Sequence, residues 1–333
     1  MLLIEIDFGV FYAETVKKQR SQWYYCAKMH LMPRIVFMGS PDFAVPTLRA
    51  LAMHYEVIGV VTQPDRESGR GRTVNSPPVK TVALELGLNV IQPEKLRTPQ
   101  AMNQLRLWNP DLIVVAAFGQ ILKPEILALP PRGCLNIHAS LLPRWRGAAP
   151  IQAAILAGDL EGGVTIMKMD QGVDTGGIIS QRAIRITTED TAGSLAEKLS
   201  RLGADLLLET LPHYLSAELQ PRSQDEGQAT YAPMLKKEDG LLDFAKPVDE
   251  LVRRVRAFHP WPGAHFEWNG ATLKVHAAHA EAGGAPEGRR LVHRNQPAVS
   301  ARGGLLVLDE VQPAGKKSMS GRAFLSGARH WEN

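Results

Sequence analysis

A chain of 333 residues exceeds one typical domain, so two are expected, and its 44% hydrophobic and 22% charged content is that of a folded globular protein. No stretch is apolar for long enough to cross a bilayer, and the two cysteines, Cys26 and Cys134, supply neither a disulfide framework nor a metal cluster, which fits a reducing cytoplasm. The formal net charge of +4 is unevenly placed: residues 1–235 carry 23 Lys and Arg against 23 Asp and Glu, whereas residues 236–333 carry 15 against 11. A basic module after a neutral one points to a polyanionic partner, and equally to an ordinary solvated surface.

Residues 1–31 open with Glu5 and Asp7 and carry a Lys17-Lys18-Gln19-Arg20 cluster. A signal peptide has a basic start before an apolar core, so this segment is not one. It reads as an extension outside the fold. Arg34 to Met38 predicts a first strand, Gly39-Ser40-Pro41 a turn, and Phe43 to Met53 a helix. Further strands fall at Glu56 to Thr62, Asn89 to Ile91, Asp111 to Ala117 and Cys134 to His138, with helical spacing near Val79 to Leu86 and Pro99 to Trp108. Short apolar strands alternating with helices predict a Rossmann-like, doubly wound and mostly parallel sheet. A dinucleotide site is the default for such a sheet. Here the first turn reads G-S-P-D-F-A, not G-x-G-x-x-G, so that fingerprint is absent.

Gln63 to Lys80 is a long loop holding Arg66, Arg70 and Arg72, with Gly69 and Gly71 giving Arg70 a wide range of backbone conformations. Loops of this length in compact domains are functional or disordered. Farther on, Gly133 to Pro150 reads G-C-L-N-I-H-A-S-L-L-P-R-W-R-G-A-A-P. Asn136 and His138 stand two apart on its strand, so both side chains leave one face. In open α/β sheets ligands bind beyond the carboxyl ends of the strands, which is where this pair falls. An N-x-H pair by itself is a weak signal, because a buried histidine is more often structural.

The longer string is specific. N-I-H-A-S-L-L-P-R-W-R-G-A-A-P resembles the core motif of the folate-dependent formyltransferases, and the R-W-R-G-A-A-P-I-Q continuation narrows the resemblance to members acting on methionyl initiator tRNA. It runs from Met32, where M-P-R-I-V-F-M-G-S-P-D-F-A begins the family pattern, to about Trp331. Residues 1–31 are therefore expected to be a start-site artefact, with a genuine extra helix as the alternative. The resemblance implies a catalytic domain over residues 32–219, a linker over 220–234 and a smaller OB-like β-barrel that binds tRNA over 235–333.

Beyond the motif, Ala148 to Ala157 predicts a helix and Gly163 to Met169 a strand leading into D-Q-G-V-D-T-G-G. Asp170 and Asp174 are both candidates for chemistry in that loop; the family's catalytic aspartate matches Asp174. Ile178 to Ile186 is a strand, and Thr191 to Leu215 a long amphipathic helix capped by Thr191 or Asp190. Gln220 to Tyr231 is polar and irregular, as a linker is. Short alternating segments follow at Ala264 to Trp268, Leu273 to Ala277 and Leu305 to Val311.

Formyl transfer requires an amine to attack a carbonyl, pass through a tetrahedral oxyanion and expel another amine. An amide donates without titrating, so Asn136 suits an oxyanion hole; His138 suits a cationic donor or acid, and a carboxylate such as Asp174 suits orienting the ring. The resemblance assigns the same three residues. It further implies 10-formyltetrahydrofolate as donor, without a metal, held by Ser140, Leu141, Leu142 and Pro143 and by the loop with Phe118, Gly119 and Ile121. The acceptor it implies is the α-amino group of methionyl initiator tRNA, with Arg66, Arg70, Arg72, Lys236, Arg254, Lys316 and Lys317 as candidate RNA contacts; Arg253 and Arg256 join them by charge. A monomer without membrane contact is implied. The alternatives are another folate-dependent formyltransferase, a formyltetrahydrofolate hydrolase, or a tRNA-binding relative without catalysis.

Overall fold

The computed structural model describes residues 32–68 and 73–332, so residues 1–31 and the loop arginines Arg70 and Arg72 lie outside the described residues. The first ten strands are β1 (Arg34–Gly39), β2 (Glu56–Val61), β3 (Arg66–Ser68), β4 (Thr73–Asn75), β5 (Val90–Ile91), β6 (Leu112–Ala116), β7 (Cys134–His138), β8 (Arg146–Gly147), β9 (Glu161–Lys168) and β10 (Ile178–Arg185). Seven form one sheet in the order β10-β9-β7-β6-β1-β2-β5. The strands from β7 to β5 run parallel, whereas β9 is antiparallel to both β7 and β10. The sheet is thus parallel where the sequence predicts it and antiparallel at one edge.

The apolar strands are buried on both faces. Ile35, Phe37, Leu112, Val114, Leu135 and Ile137 point to one side, onto helices Val45–His54 and Ala192–Leu215. Val36, Met38, Ile113, Val115 and Cys134 point to the other, onto Leu105 and Trp108 of helix Pro99–Trp108 and onto Ile126. A strand covered twice has no polar face, which is why β6 reads as an unbroken aliphatic run. Between β2 and β5 the chain is more regular than a loop: β3 and β4 pair as a hairpin, and helix Pro78–Glu85 starts with proline at its first position, where a missing N–H costs nothing.

β11 (Tyr231–Ala232) lies on the segment between the units, and the second unit holds β12 (Ala264–Trp268), β13 (Ala271–Glu281), β14 (Arg290–His293), β15 (Gln296–Ala301), β16 (Gly304–Pro313) and β17 (Met319–Ser320). From β12 onward these make an antiparallel sheet ordered β12-β13-β16-β15-β14, with β17 beside β16. Its core gathers Phe266, Trp268, Phe324 and Trp331, with ring centroids 5.0 Å apart for Trp268 and Phe324 and 5.6 Å for Phe324 and Trp331. Such edge-on pairs add stability beyond their buried area.

Helix Val248–Ala257 joins the two units. Leu251 and Val255 enter the small core, while Ala257 and Phe258 enter the large one. Arg253 donates from Nε to the Leu156 carbonyl at 3.0 Å, at the end of helix Pro150–Ala157 where carbonyls lack helical partners. Arg256 donates from Nη1 to the carbonyls of Thr187 (3.1 Å) and Asp190 (2.9 Å). Both arginines, grouped by sequence with the candidate phosphate contacts, bond across the seam.

Asp190 anchors the other side of that seam. Thr191 caps the long helix in a capping box with Ser194, while the Asp190 carboxylate accepts from Lys198 Nζ (2.7 Å), Ser194 Oγ (3.0 Å) and both donors of Thr187 (2.9 Å each). Burial pushes the Asp190 carboxyl up, but the bonds from Lys198, Thr187 and Ser194 outweigh it and hold it at about 2. A carboxyl so depressed adds stability that is complete above its unfolded-state value and is lost as pH falls through its folded one. Unfolding by urea between about pH 5 and pH 2 should show the wild type losing about 2 kcal/mol more than Asp190→Asn over that interval. Parallel pH profiles would contradict the assignment.

Candidate active site

Strand β7 aligns Asn136 with Val115 of β6, so the loop after β6 and the end of β7 emerge together at the carboxyl edge of the sheet. Asn136 and His138 alternate with the core residues Leu135 and Ile137, which fixes the strand and leaves the polar pair to one side. The third group arrives on the loop between β9 and β10. Asp174 lies there with a left-handed φ of 54°, a conformation disfavoured for a side chain with a Cβ unless its surroundings enforce it.

The Asp174 carboxylate collects three partners. Asn136 Nδ2 donates to Oδ1 at 3.3 Å, the Gly147 N–H donates to Oδ2 at 2.9 Å, and His138 Nδ1 stands 3.5 Å from Oδ2. On its far side His138 Nε2 meets the Trp145 carbonyl at 2.9 Å. The buried ring therefore sits between the Trp145 carbonyl, which Nε2 contacts, and the Asp174 carboxylate, which Nδ1 faces. Asn136 keeps a second amide hydrogen beyond the one given to Asp174. A donor amide, a donor imidazole and an orienting carboxylate thus converge on one spot. Asp170, the other acidic candidate, turns onto its own loop, where Oδ1 accepts from the Gly172 N–H (3.0 Å) and Thr175 Oγ1 (2.6 Å).

The residues read as folate contacts divide. Ser140 is buried and donates to the Arg144 carbonyl at 2.6 Å; Leu142 is buried against Met167 and Ile178, its N–H on Thr165 Oγ1 at 3.1 Å; and the Pro143 carbonyl accepts from the Thr230 N–H at 3.3 Å. Leu141 lines a cavity of about 650 Å³ with Trp145, Ile151 and Leu195, which Asn136, His138 and Asp174 do not line. The Phe118 side chain belongs to the core, with its carbonyl accepting from Gln63 Nε2 at 3.0 Å. Gly119 turns with φ 79°, and Ile121 is 75% exposed. Among the basic residues, Arg66, Lys236, Lys316 and Lys317 are exposed, whereas Arg254 is engaged by Glu250 (3.2 Å) and the Asp239 carbonyl (3.3 Å).

Sequence reasoning missed the frame behind these groups. Arg146 is fully buried, with Nη1 and Nη2 on the Glu226 carboxylate at 2.8 and 2.7 Å and Nε on Gln224 Oε1 at 3.0 Å. The Arg146 hydrogen bonds hold the exposed Glu226 carboxyl below its usual range. Residues 220–231, read as a linker, run back across the site: Arg222 pairs with Ile178 through two 2.8 Å backbone bonds, and β11 lies parallel to β8. Arginine in R-W-R-G gives no sequence sign that it is internal, and a polar segment without periodicity gives none that it is fastened.

Two family models match the chain: one described as formyl transferase over residues 33–211, and one described as formyl transferase, C-terminal domain, over residues 234–329. A methionyl-tRNA formyltransferase of Myxococcus xanthus (strain DK1622) is 50% identical over 296 residues, which cover 89% of this chain and 95% of that protein. Among solved structures, methionyl-tRNA formyltransferase from Clostridium thermocellum gives a TM-score of 0.53 at 18% identity, over 75% of this chain and 94% of its own. HypX from Aquifex aeolicus in complex with tetrahydrofolic acid gives 0.60 at 17% identity, over 88% of this chain and 47% of its own.

Gly147 tests the frame directly. Its φ is 114°, and a Cβ there would sit 2.5 Å from the Ala232 carbonyl oxygen of the returning segment. Gly147→Ala combines backbone strain with overpacking and should destabilise the protein by about 2 kcal/mol or more in urea unfolding. An unchanged midpoint would contradict the close crossing of β8 and β11.

Proposed function

This chain belongs to the formyl transferase family, and we propose that it transfers the formyl group of 10-formyltetrahydrofolate to the α-amino group of methionyl initiator tRNA, for the start of translation in the cytoplasm. It is a formyl-transferring enzyme. The observation that carries the reading is the convergence of Asn136, His138 and Asp174 at the carboxyl edge of the sheet, in a chain half identical to a protein named for this reaction. The tetrahydrofolate-bound relative and the family supply the folate-type donor.

The α-amino nitrogen adds to the formyl carbon, and the carbonyl oxygen takes on negative charge as the tetrahedral species forms. Asn136 presents its uncommitted amide hydrogen to that oxygen, a fixed dipole that needs no reorganisation as charge appears. His138, held between the Trp145 carbonyl and Asp174, is the acid of the site: it gives its proton to the departing folate nitrogen once that nitrogen takes the place of the Trp145 carbonyl at Nε2. Asp174 orients both by accepting from Asn136 and flanking the His138 ring. The C–N bond to the folate then breaks, its electron pair leaving on the nitrogen that takes the proton from His138, the carbonyl re-forms, and the proton lost by the acceptor nitrogen returns to the imidazole. The family resemblance assigns the donor's side to the loop of Phe118, Gly119 and Ile121, which follows β6, and to Ser140 to Pro143, which follow β7.

The acceptor is long and anionic, and the exposed cations Arg66, Lys236, Lys316 and Lys317 with Arg70 and Arg72 suit phosphate and base-edge contacts. Binding through them should weaken steeply with salt.

Transfer of radiolabelled formyl to methionyl-tRNA, with water and a sugar amine as competing acceptors, tests the reading. Label should appear in formylmethionyl-tRNA, and Asn136→Ala and His138→Ala should each lower kcat by about 100- to 1000-fold. Label released to water or to the sugar would overturn it. Arg70→Leu should cut turnover on tRNA while folate binding persists; equal loss of both would sink the RNA role of that arginine.

A further inference from the structure

The chain between the two units is fastened at Gln224. Its Nε2 donates one hydrogen to the Asp174 carbonyl at 2.8 Å and the other to the Gly176 carbonyl at 2.7 Å. Its Oε1 accepts from Arg146 Nε at 3.0 Å. All three bonds have near-ideal length, so one carboxamide uses both its hydrogens and its oxygen between the loop that carries Asp174 and the buried arginine beside Gly147. Gly147 in turn gives its N–H to the Asp174 carboxylate. Gln224 therefore closes a ring of contacts: amide to Asp174 backbone, Asp174 side chain to Gly147, Gly147 to its neighbour Arg146, and Arg146 back to the amide.

That ring answers a question the loop itself leaves open. A left-handed aspartate persists only where neighbours over-determine it, and within its own loop the stapling carboxylate, Asp170, ties down Gly172 and Thr175 instead. The two donors of Gln224 grip the carbonyls on either side of Thr175 and so hold the backbone at the angle that aims the carboxylate toward Asn136 and His138. We propose that Gln224 is a positioning residue for formyl transfer, acting on the reaction through the backbone of Asp174. This rests on the proposed function, and it places a determinant of the reaction rate outside the motif, on the segment joining the two units.

Glutamate and methionine at this position separate aim from mere adhesion. Gln224→Glu keeps an acceptor for Arg146 but offers no hydrogen to the two carbonyls; Gln224→Met keeps the length and removes every bond. Glu226→Ala leaves the Gln224 bonds in place and strips the carboxylate from buried Arg146, so it should lower the thermal midpoint more than either Gln224 variant. Steady-state formylation of methionyl-tRNA is measured for all three below their melting temperatures, with KM for 10-formyltetrahydrofolate and the thermal midpoint alongside. The proposal expects kcat at least about ten-fold lower in both Gln224 variants with KM within about two-fold, and kcat within about three-fold of wild type in Glu226→Ala. It is overturned if either Gln224 variant keeps kcat within three-fold, if kcat follows the order of thermal midpoints, or if the Gln224 variants do not fold, since the residue then holds the fold and not the aim. A wild type that makes no formylmethionyl-tRNA would instead sink the function, and that is read first.

Discussion

One half-buried carboxylate organises this molecule. Asp174 accepts from Asn136 and from the Gly147 N–H and flanks His138, and those three partners come from β7 and β8. A carboxylate moved out of water is costly unless donors replace the solvent it loses. Two hydrogen bonds and a facing ring do so here, and each is directional. Satisfying the charge and arranging the proposed chemistry are consequently one constraint: the geometry that settles Asp174 is the geometry that aims an amide and an imidazole at a common point.

The fold supplies that constraint from the sheet outward. Leu135 and Ile137 are locked in the core, so the polar residues between and after them cannot turn inward. The antiparallel return of β9 beside β7 brings the 170–177 loop to the same edge. A mostly parallel sheet with helices on both faces leaves its loops free at that edge, and the segment joining the units then crosses them, pairing at Arg222 and again at β11. The second unit is tied on through Arg253 and Arg256, whose charges serve the seam, while exposed cations on both units suit a large anionic acceptor.

What the sequence made legible follows from which forces leave a pattern. Burial on two faces writes continuous apolar runs, so β1, β6 and β7 could be read almost to the residue. The paired Asn136 and His138 stand out because polar side chains ending such a run are expensive. Hydrogen bonds to backbone carbonyls leave no pattern, since any donor in reach will serve, and Gln224 looks like every other polar residue of a linker. Asp170 and Asp174 are equivalent on paper; the structure separates them by showing which carboxylate spends itself on its own loop. Charge by itself does not locate an arginine: Arg253 and Arg256 group with the candidate RNA contacts yet bond to the carbonyls of the neighbouring unit, and Arg146, which drew no reading, is buried. The edge pairing of β9 and the strands β14 and β15 were missed because short segments with weak alternation carry little signal by themselves.

The central claim is that Asn136 and Asp174 act as one unit, which a double-mutant cycle on single-turnover formyl transfer measures most directly. If the amide depends on the carboxylate for its aim, Asn136→Ala combined with Asp174→Ala should be scarcely slower than the worse single variant, a coupling of about 2 kcal/mol. Losses that simply add would mean the two side chains work independently, and the account would fail.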